Sequence, residues 1–342
     1  MRVLIVKTSS MGDIIHTLPA LTDAAEAIPG IQFDWVVEEG FAEIPHWHSA
    51  VDNVIPVAIR RWRKQPLKTW RSGEWQTYKQ ALQARQYDYV IDAQGLIKSA
   101  FLVTRLANGV RCGYDKASVT ESLACSCYQK TFTVARQQHA VERIRQLFAQ
   151  SLGYALPQQK GNFAIRQHFV AAPDVPEYEK PYLVFLHSTT RADKHWPELY
   201  WQKLVRLAAS ENLRVKLPWV NDEELARAEC LAQGNPFVDI LPKLNLHDVS
   251  AVIAGATACV SVDTGLSHMA AALDRPNITL FGPTDPGLVG GYGDNQLSLE
   301  AKLQPAVSET VEPQVFAPLT AEIVWQHLQE KLSKISFDGG TE

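Results

Sequence analysis

The chain has 342 residues, of which 46% are hydrophobic and 20% charged, with a formal net charge of −4. That length exceeds what a typical single core serves, so two domains are expected. The near-neutral balance argues against a non-specific nucleic-acid binder, and the composition excludes a disordered or fibrous chain.

In chain order, Val3–Val6 is a short apolar run rich in β-branched residues and reads as a buried strand. The N-terminus lacks the basic start and long apolar stretch of a signal peptide, and no run approaches the roughly 18 apolar residues of a membrane span. A cytoplasmic protein is expected, touching a membrane surface without crossing it. A polar loop, Lys7 to Asp13, precedes a helical stretch, Ile14 to Ile28, that stops at Pro29 and Gly30. Phe33 to Val37, Val54 to Val57 and Tyr89 to Ile91 read as further strands, with helical segments at Gln76 to Arg85 and Leu96 to Ala107. After a Pro-containing stretch from Leu156 to Pro181 the pattern restarts with a strand at Tyr182 to Leu186. A helix at Pro197 to Ser210, a strand at Leu213 to Leu217 and a helix at Asp222 to Gln233 follow. Cys259 to Val262 and Ile278 to Phe281 are strands, and Thr320 to Ile335 is the last helix.

Strands alternating with helices imply parallel pairing and an α/β class. The expected architecture is two Rossmann-like, doubly wound domains, residues 1–160 and 182–318, joined by a linker at 161–181. Ligands bind such folds at the C-terminal ends of strands, and a cleft between two domains is a common site. The cysteines, Cys112, Cys125, Cys127, Cys230 and Cys259, are odd in number and lack a zinc spacing, so reduced structural thiols are expected and no metal site.

Each polar motif directly follows an expected strand. In Lys-Thr-Ser-Ser-Met-Gly-Asp, residues 7–13, Gly12 allows close backbone approach, and Asp13 reads either as a carboxylate in the cleft or as an N-cap of the next helix. The loop lacks the glycine fingerprint of a dinucleotide site, which disfavours an NAD-dependent dehydrogenase. Arg60, Arg61, Arg63, Lys64, Lys68 and Arg71 surround Trp62 and Trp70 with no intervening acid. Such a run is a solvated face or a site for an anionic partner, and an acidic glycolipid fits better than nucleic acid. After Tyr182–Leu186, residues 187–197 offer the hydroxyls of Thr189 and Thr190 and the charge of Lys194, a set able to neutralise a departing diphosphate. Residues 261–268 place Asp263 at a strand end, with Gly265 opening a helix and His268 one turn into it. A single Asp-Thr-Gly in an α/β setting is not an aspartic protease. The turn-rich stretch Phe281 to Gly287 follows another strand, and Glu223 and Glu224 read either as ribose-binding acids or as the acidic first turn of a helix.

Together with Asp92-Ala-Gln-Gly95, these motifs resemble the lipopolysaccharide heptosyltransferases, glycosyltransferase family nine, from Met1 to about Gly293. The resemblance implies the GT-B fold, with a last helix in 319–342 crossing back to the first domain. It implies metal-independent, inverting transfer of heptose from ADP-heptose, a substrate and not a cofactor, to the 5-hydroxyl of the inner Kdo of Kdo-lipid A. Asp13 then matches the general base, and Lys194, Thr189 and Thr190 match the phosphate ligands. Glu224 matches the ribose-binding acid, Leu244 the adenine contact, and Asp263 the heptose contact beside Thr264, Gly265 and His268. Arg60, Arg61, Arg63 and Lys64, with Lys7 and Ser10, fall where the family meets its acceptor. Residues Gly113 to Thr133 follow no family motif. The member adding the second heptose is the near alternative, and a non-catalytic nucleotide-sugar or lipid-binding module would not need Asp13. No coiled-coil seam is present, so a monomer is expected on the cytoplasmic face of the inner membrane.

Overall fold

The computed structural model describes residues 1–170, 181–306 and 310–338, and the chain divides into two compact units, Met1–His168 and Phe169–Glu342. Of the expected linker, residues 171–180 lie outside the described residues, and Arg166–Val170 forms a short helix.

The first unit is built on a six-stranded sheet of order β3-β2-β1-β4-β5-β6. Its strands are β1 (Arg2–Val6), β2 (Gln32–Glu38), β3 (Val51–Val57), β4 (Tyr89–Asp92), β5 (Val110–Tyr114) and β6 (Lys130–Phe132). Every pairing is parallel, and Val6 aligns with Val36 on one side and Asp92 on the other. A central parallel strand is covered on both faces, which is why Val3–Val6 are apolar without alternation and fully buried. The helical stretch after the first loop breaks in two, Met11–Ile15 and Leu18–Ala27, with Pro19 in the opening turn of the second piece.

The second unit repeats the plan with order β12-β11-β10-β7-β8-β9. Its strands are β7 (Tyr182–Leu186), β8 (Arg214–Leu217), β9 (Val238–Ile240), β10 (Ala258–Val262), β11 (Asn277–Phe281) and β12 (Gln296–Glu300). Its core holds Phe185, Trp196, Trp201 and Phe316, with Trp196 and Trp201 edge-to-face at 5.0 Å. The Trp196 indole N–H donates to the Leu319 carbonyl at 2.9 Å and the Tyr200 hydroxyl to that of Ala317 at 2.9 Å. The last helix, Ala321–Asp338, buries Val324, Trp325 and Leu328 in this same core. Its apolar side thus completes the core of the second unit. Among the described residues, no helix is long and apolar enough to cross a membrane.

In both sheets the first strand lies beside the fourth, and chain order runs outward from that pair in opposite directions. Loops leaving β1 and β4, or β7 and β10, thus diverge and open a crevice at the strand ends.

Beneath the first sheet, Arg145 is buried and clamps the helices Leu18–Ala27 and Ala140–Leu152 together. Its Nε donates to Asp23 at 2.6 Å and Nη2 to the Gln159 carbonyl at 2.9 Å. Arg145→Met strands the buried Asp23 carboxylate. It is expected to cost about 3–5 kcal/mol of stability, seen as a lower urea midpoint.

Candidate active site

In the first unit, the loops at the β1/β4 crevice interlock. Lys7, 7% exposed at its side chain, donates from Nζ to the Ala93 carbonyl at 3.0 Å and pairs with Asp13 Oδ1 at 3.2 Å. The Gln94 side-chain oxygen accepts from the backbone N–H groups of Thr8 at 2.9 Å and Ser9 at 3.1 Å. Gln94 is held in turn by Asp92, a fully buried carboxylate that accepts from the Gln94 and Gly95 N–H groups, both at 3.0 Å. Ser99, Thr104 and Tyr128 hydroxyls also donate to Asp92. Gly95 has φ +66°, and an added Cβ would meet Val119 at 3.1 Å, so this turn favours glycine.

Asp13 lies at the third position of the helix Met11–Ile15, and Ser10 occupies the N-cap. The N-cap reading of Asp13 is thus corrected, although the residue does help cap: its Oδ2 accepts the Ser10 N–H at 2.8 Å. Its side chain is 41% exposed, leaving a face of the carboxylate open. Burial pushes this carboxyl up, but the Lys7 ammonium and the Ser10 N–H outweigh it and hold Asp13 below its usual range.

The basic run forms two short helices, Ile59–Lys64 and Pro66–Arg71. The buried Glu38 carboxylate caps the first, accepting from the N–H groups of Ile59 at 3.0 Å and Arg60 at 2.7 Å. Not all the expected cations are available. Arg61 is neutralised by Glu39 at 3.0 Å and Glu74 at 2.7 Å. Trp62 turns inward against Trp75 and Tyr78 and donates to Glu74 at 2.8 Å. Arg60 lies over the Phe41 ring at 5.7 Å, and Arg63 and Lys64 are exposed.

In the second unit, loops after β7, β10 and β11 converge on Asp263. Its Oδ2 accepts from Lys194 Nζ at 2.6 Å and from Thr284 Oγ1 at 2.8 Å, and its carbonyl accepts from Thr189 Oγ1 at 3.1 Å. The expected mobile charge of Lys194 is therefore paired here, with Asp263. The ring Nε2 of His195 donates to the Thr189 carbonyl at 2.7 Å, fixing the loop. Thr190 is exposed. Thr264 is the N-cap of the helix Gly265–Ala272, whose first N–H groups face this cluster's edge of the sheet, and His268 is buried within it. Gly282 must be glycine because a Cβ would meet the Phe316 ring at 2.7 Å, so core packing sets the path of the loop carrying Thr284.

Glu224 and Leu244 follow β8 and β9, on the far side of β7 from β10, and share no hydrogen bond with Lys194 or Asp263. Glu224 caps the helix Asp222–Ala232 by accepting the Val220 N–H at 2.9 Å, and Leu244 is half-buried. All five thiols are unbridged, and among the described residues no group of three or more His, Cys, Asp or Glu could hold a metal ion. The stretch Gly113 to Thr133, expected to follow no family motif, supplies Tyr128 to Asp92 at 3.0 Å and Glu121 to the Ile97 N–H at 2.5 Å, so it scaffolds the Asp92 loop.

The family model for glycosyltransferase family 9 (heptosyltransferase) matches residues 75–316. The chain is 56% identical to lipopolysaccharide heptosyltransferase 1 of Escherichia coli O18:K1:H7 (strain RS218 / NMEC), over 98% of this chain and 99% of that protein. Among solved structures, E. coli heptosyltransferase WaaC with ADP matches at TM-score 0.90 and 57% identity, covering 97% of this chain and 100% of that one. The structure of WaaC with ADP-2-deoxy-2-fluoro heptose matches at TM-score 0.87 and 56% identity, covering 96% and 99%. These matches agree with the expected class of paired Rossmann-like α/β domains, and the chain belongs to glycosyltransferase family 9, the heptosyltransferases.

Proposed function

We propose that this chain transfers L-glycero-D-manno-heptose from ADP-heptose, with inversion and without a metal, to the 5-hydroxyl of the inner Kdo of Kdo-lipid A. In this reading it acts as a monomer on the cytoplasmic face of the inner membrane. The observation that carries it is the second unit's cluster: a Lys194 ammonium, the hydroxyls of Thr189 and Thr284, and a helix N-terminus around one carboxylate. That set suits a diphosphate joined to a polyol. The solved relative holding a fluorinated ADP-heptose analogue supports the same donor here.

The acceptor oxygen attacks the anomeric carbon as the bond from that carbon to the phosphate oxygen breaks, and ADP leaves with the electron pair. Asp13 takes the acceptor proton. A carboxylate held low is a weak ground-state base, so it accepts the proton late, after the new C–O bond has made the hydroxyl acidic. Lys194, Thr189, Thr190 and the N–H groups of Gly265 and its neighbours oppose the charge growing on ADP. Asp263 orients heptose hydroxyls, Glu224 the ribose, and Leu244 packs on adenine. Arg60, Arg63, Lys64 and the partly neutralised Arg61 meet acceptor carboxylates and phosphates, beside Lys7 and Ser10.

The direct test is ADP release from ADP-heptose, with and without de-O-acylated Kdo-lipid A, in EDTA. Release that needs this acceptor and survives EDTA is expected. Release only with an already heptosylated core would reassign the chain to the second transfer, and none with either acceptor would leave a binding role. Asp13→Ala is expected to lower turnover about 10²–10⁴-fold while ADP affinity by calorimetry stays within about twofold. Equal loss of both would make Asp13 a cap only. Lys194→Ala is expected to lower kcat about 10²–10³-fold and to weaken ADP binding as well.

Because Asp13 is held low in the folded chain, it is ionised at neutral pH, and its base function is lost only as pH falls through that lowered value. Lys7→Met removes the charge that holds it down. The acidic limb of kcat/KM should then move up, toward or past the ordinary value of about 3.9. A pH profile with an unmoved limb would detach the Lys7 pair from the chemistry.

A further inference from the structure

The helix Pro66–Arg71 carries the most exposed large apolar side chains of the described residues, Leu67 at 71% and Trp70 at 77%. They stand one helical turn apart. Lys68 and Arg71 share their helix, and Arg63 and Lys64 end the helix just before it; all four are exposed, and among the described residues none has an ion-pair partner. Arg61, one helix earlier, is neutralised by Glu39 and Glu74, and Trp62 is turned inward. The contrast is informative: aromatic and basic residues that serve the fold are partnered, while those of this helix are left to solvent. The helix is nevertheless seated, since Thr69 is buried and its hydroxyl donates to the Gln65 carbonyl at 3.0 Å.

We propose that Leu67 and Trp70, with Lys68 and Arg71 on the same helix and Arg63 and Lys64 just before it, dock the first unit onto an anionic lipid bilayer. Charge complementarity selects the occupant. The run is cationic and free of acid, although the chain as a whole is net negative, so the partner surface is anionic. A tryptophan with a leucine beside it suits the headgroup boundary, where an amphipathic ring is stable and an aliphatic side chain leaves water. Each cation near an anionic leaflet strengthens attachment roughly fivefold, so the cations and two shallow apolar anchors together give reversible binding, not insertion. This deepens the reading of a lipid-borne acceptor and relies on it only for the choice of a lipid surface. Docking of this kind would hold the first unit at the layer where such an acceptor is embedded.

The test is co-sedimentation of the full chain with phosphatidylglycerol-containing vesicles and with pure phosphatidylcholine vesicles, at low and raised salt. The unaltered chain should bind the anionic vesicles, release with salt, and largely ignore the neutral ones. L67S/W70S should weaken binding about tenfold or more, and K68Q/R71Q by roughly 25-fold. Both variants change exposed positions, and thermal melting shows whether they fold. With de-O-acylated, water-soluble acceptor, both should turn over within about twofold of the parent; with vesicle-embedded acceptor both should fall. Failure of the parent to bind anionic vesicles, equal binding to neutral ones, or parent-like binding by both variants overturns the proposal. Vesicle binding does not depend on turnover, so a chain that binds as described yet transfers no heptose would refute the catalytic reading and leave this one standing.

Discussion

The strand-end loops of the first unit depend on one fully buried carboxylate. Asp92 is fully buried, and burial pushes its carboxyl up, against the Gly95 N–H and the Thr104, Tyr128 and Ser99 hydroxyls that favour the anion. An ionisable group at the end of a central strand is costly unless its lone pairs are met, and here the chain folds around it to meet them. That requirement gives the β4 loop its shape: Ala93 turns its carbonyl to Lys7, and Gln94 turns its side chain to Thr8 and Ser9. Lys7 and Ser10 then hold Asp13. A polar chain therefore runs from a buried acid, Asp92, to a half-open one, Asp13, with each step set by the one before.

The second unit uses the same topological opening for a different electrostatic end. Where the first unit stations an anion held by one cation, the second gathers donors around Asp263. The two halves share a plan of parallel strands and diverging loops, and differ in what the strand ends carry. The fold supplies rigid platforms, and residues immediately beyond them decide the chemistry.

What could be read from sequence follows from how local the cause is. Val3 to Val6 and Tyr182 to Leu186 announce themselves because burial on both faces demands unbroken apolar runs. β6 and β9, of three residues each, and the alternating edge strand β12 carry no such demand and pass unnoticed. Asp263 and Lys194 were legible because each lies just past a strand. Thr284 lay within a recognised turn motif, but its pairing with Asp263 depends on which strands are neighbours. Gln94 likewise acts on a loop 86 positions away. Arg61 looked free because the acids that neutralise it lie 22 and 13 positions off.

The Lys194–Asp263 contact has a consequence for turnover. A cation waiting alone for a diphosphate would favour whatever anion is abundant, and would hold its product as firmly as its substrate. Here the ammonium already has a partner. On the proposed donor assignment, an incoming diphosphate would have to win it from a carboxylate, so weakly charged or misplaced anions would gain little from entering. On the same assignment, departure of the sugar would free that carboxylate to reclaim the ammonium from the spent nucleotide. In that reading the resting ion pair would be a built-in competitor, set against retention of product.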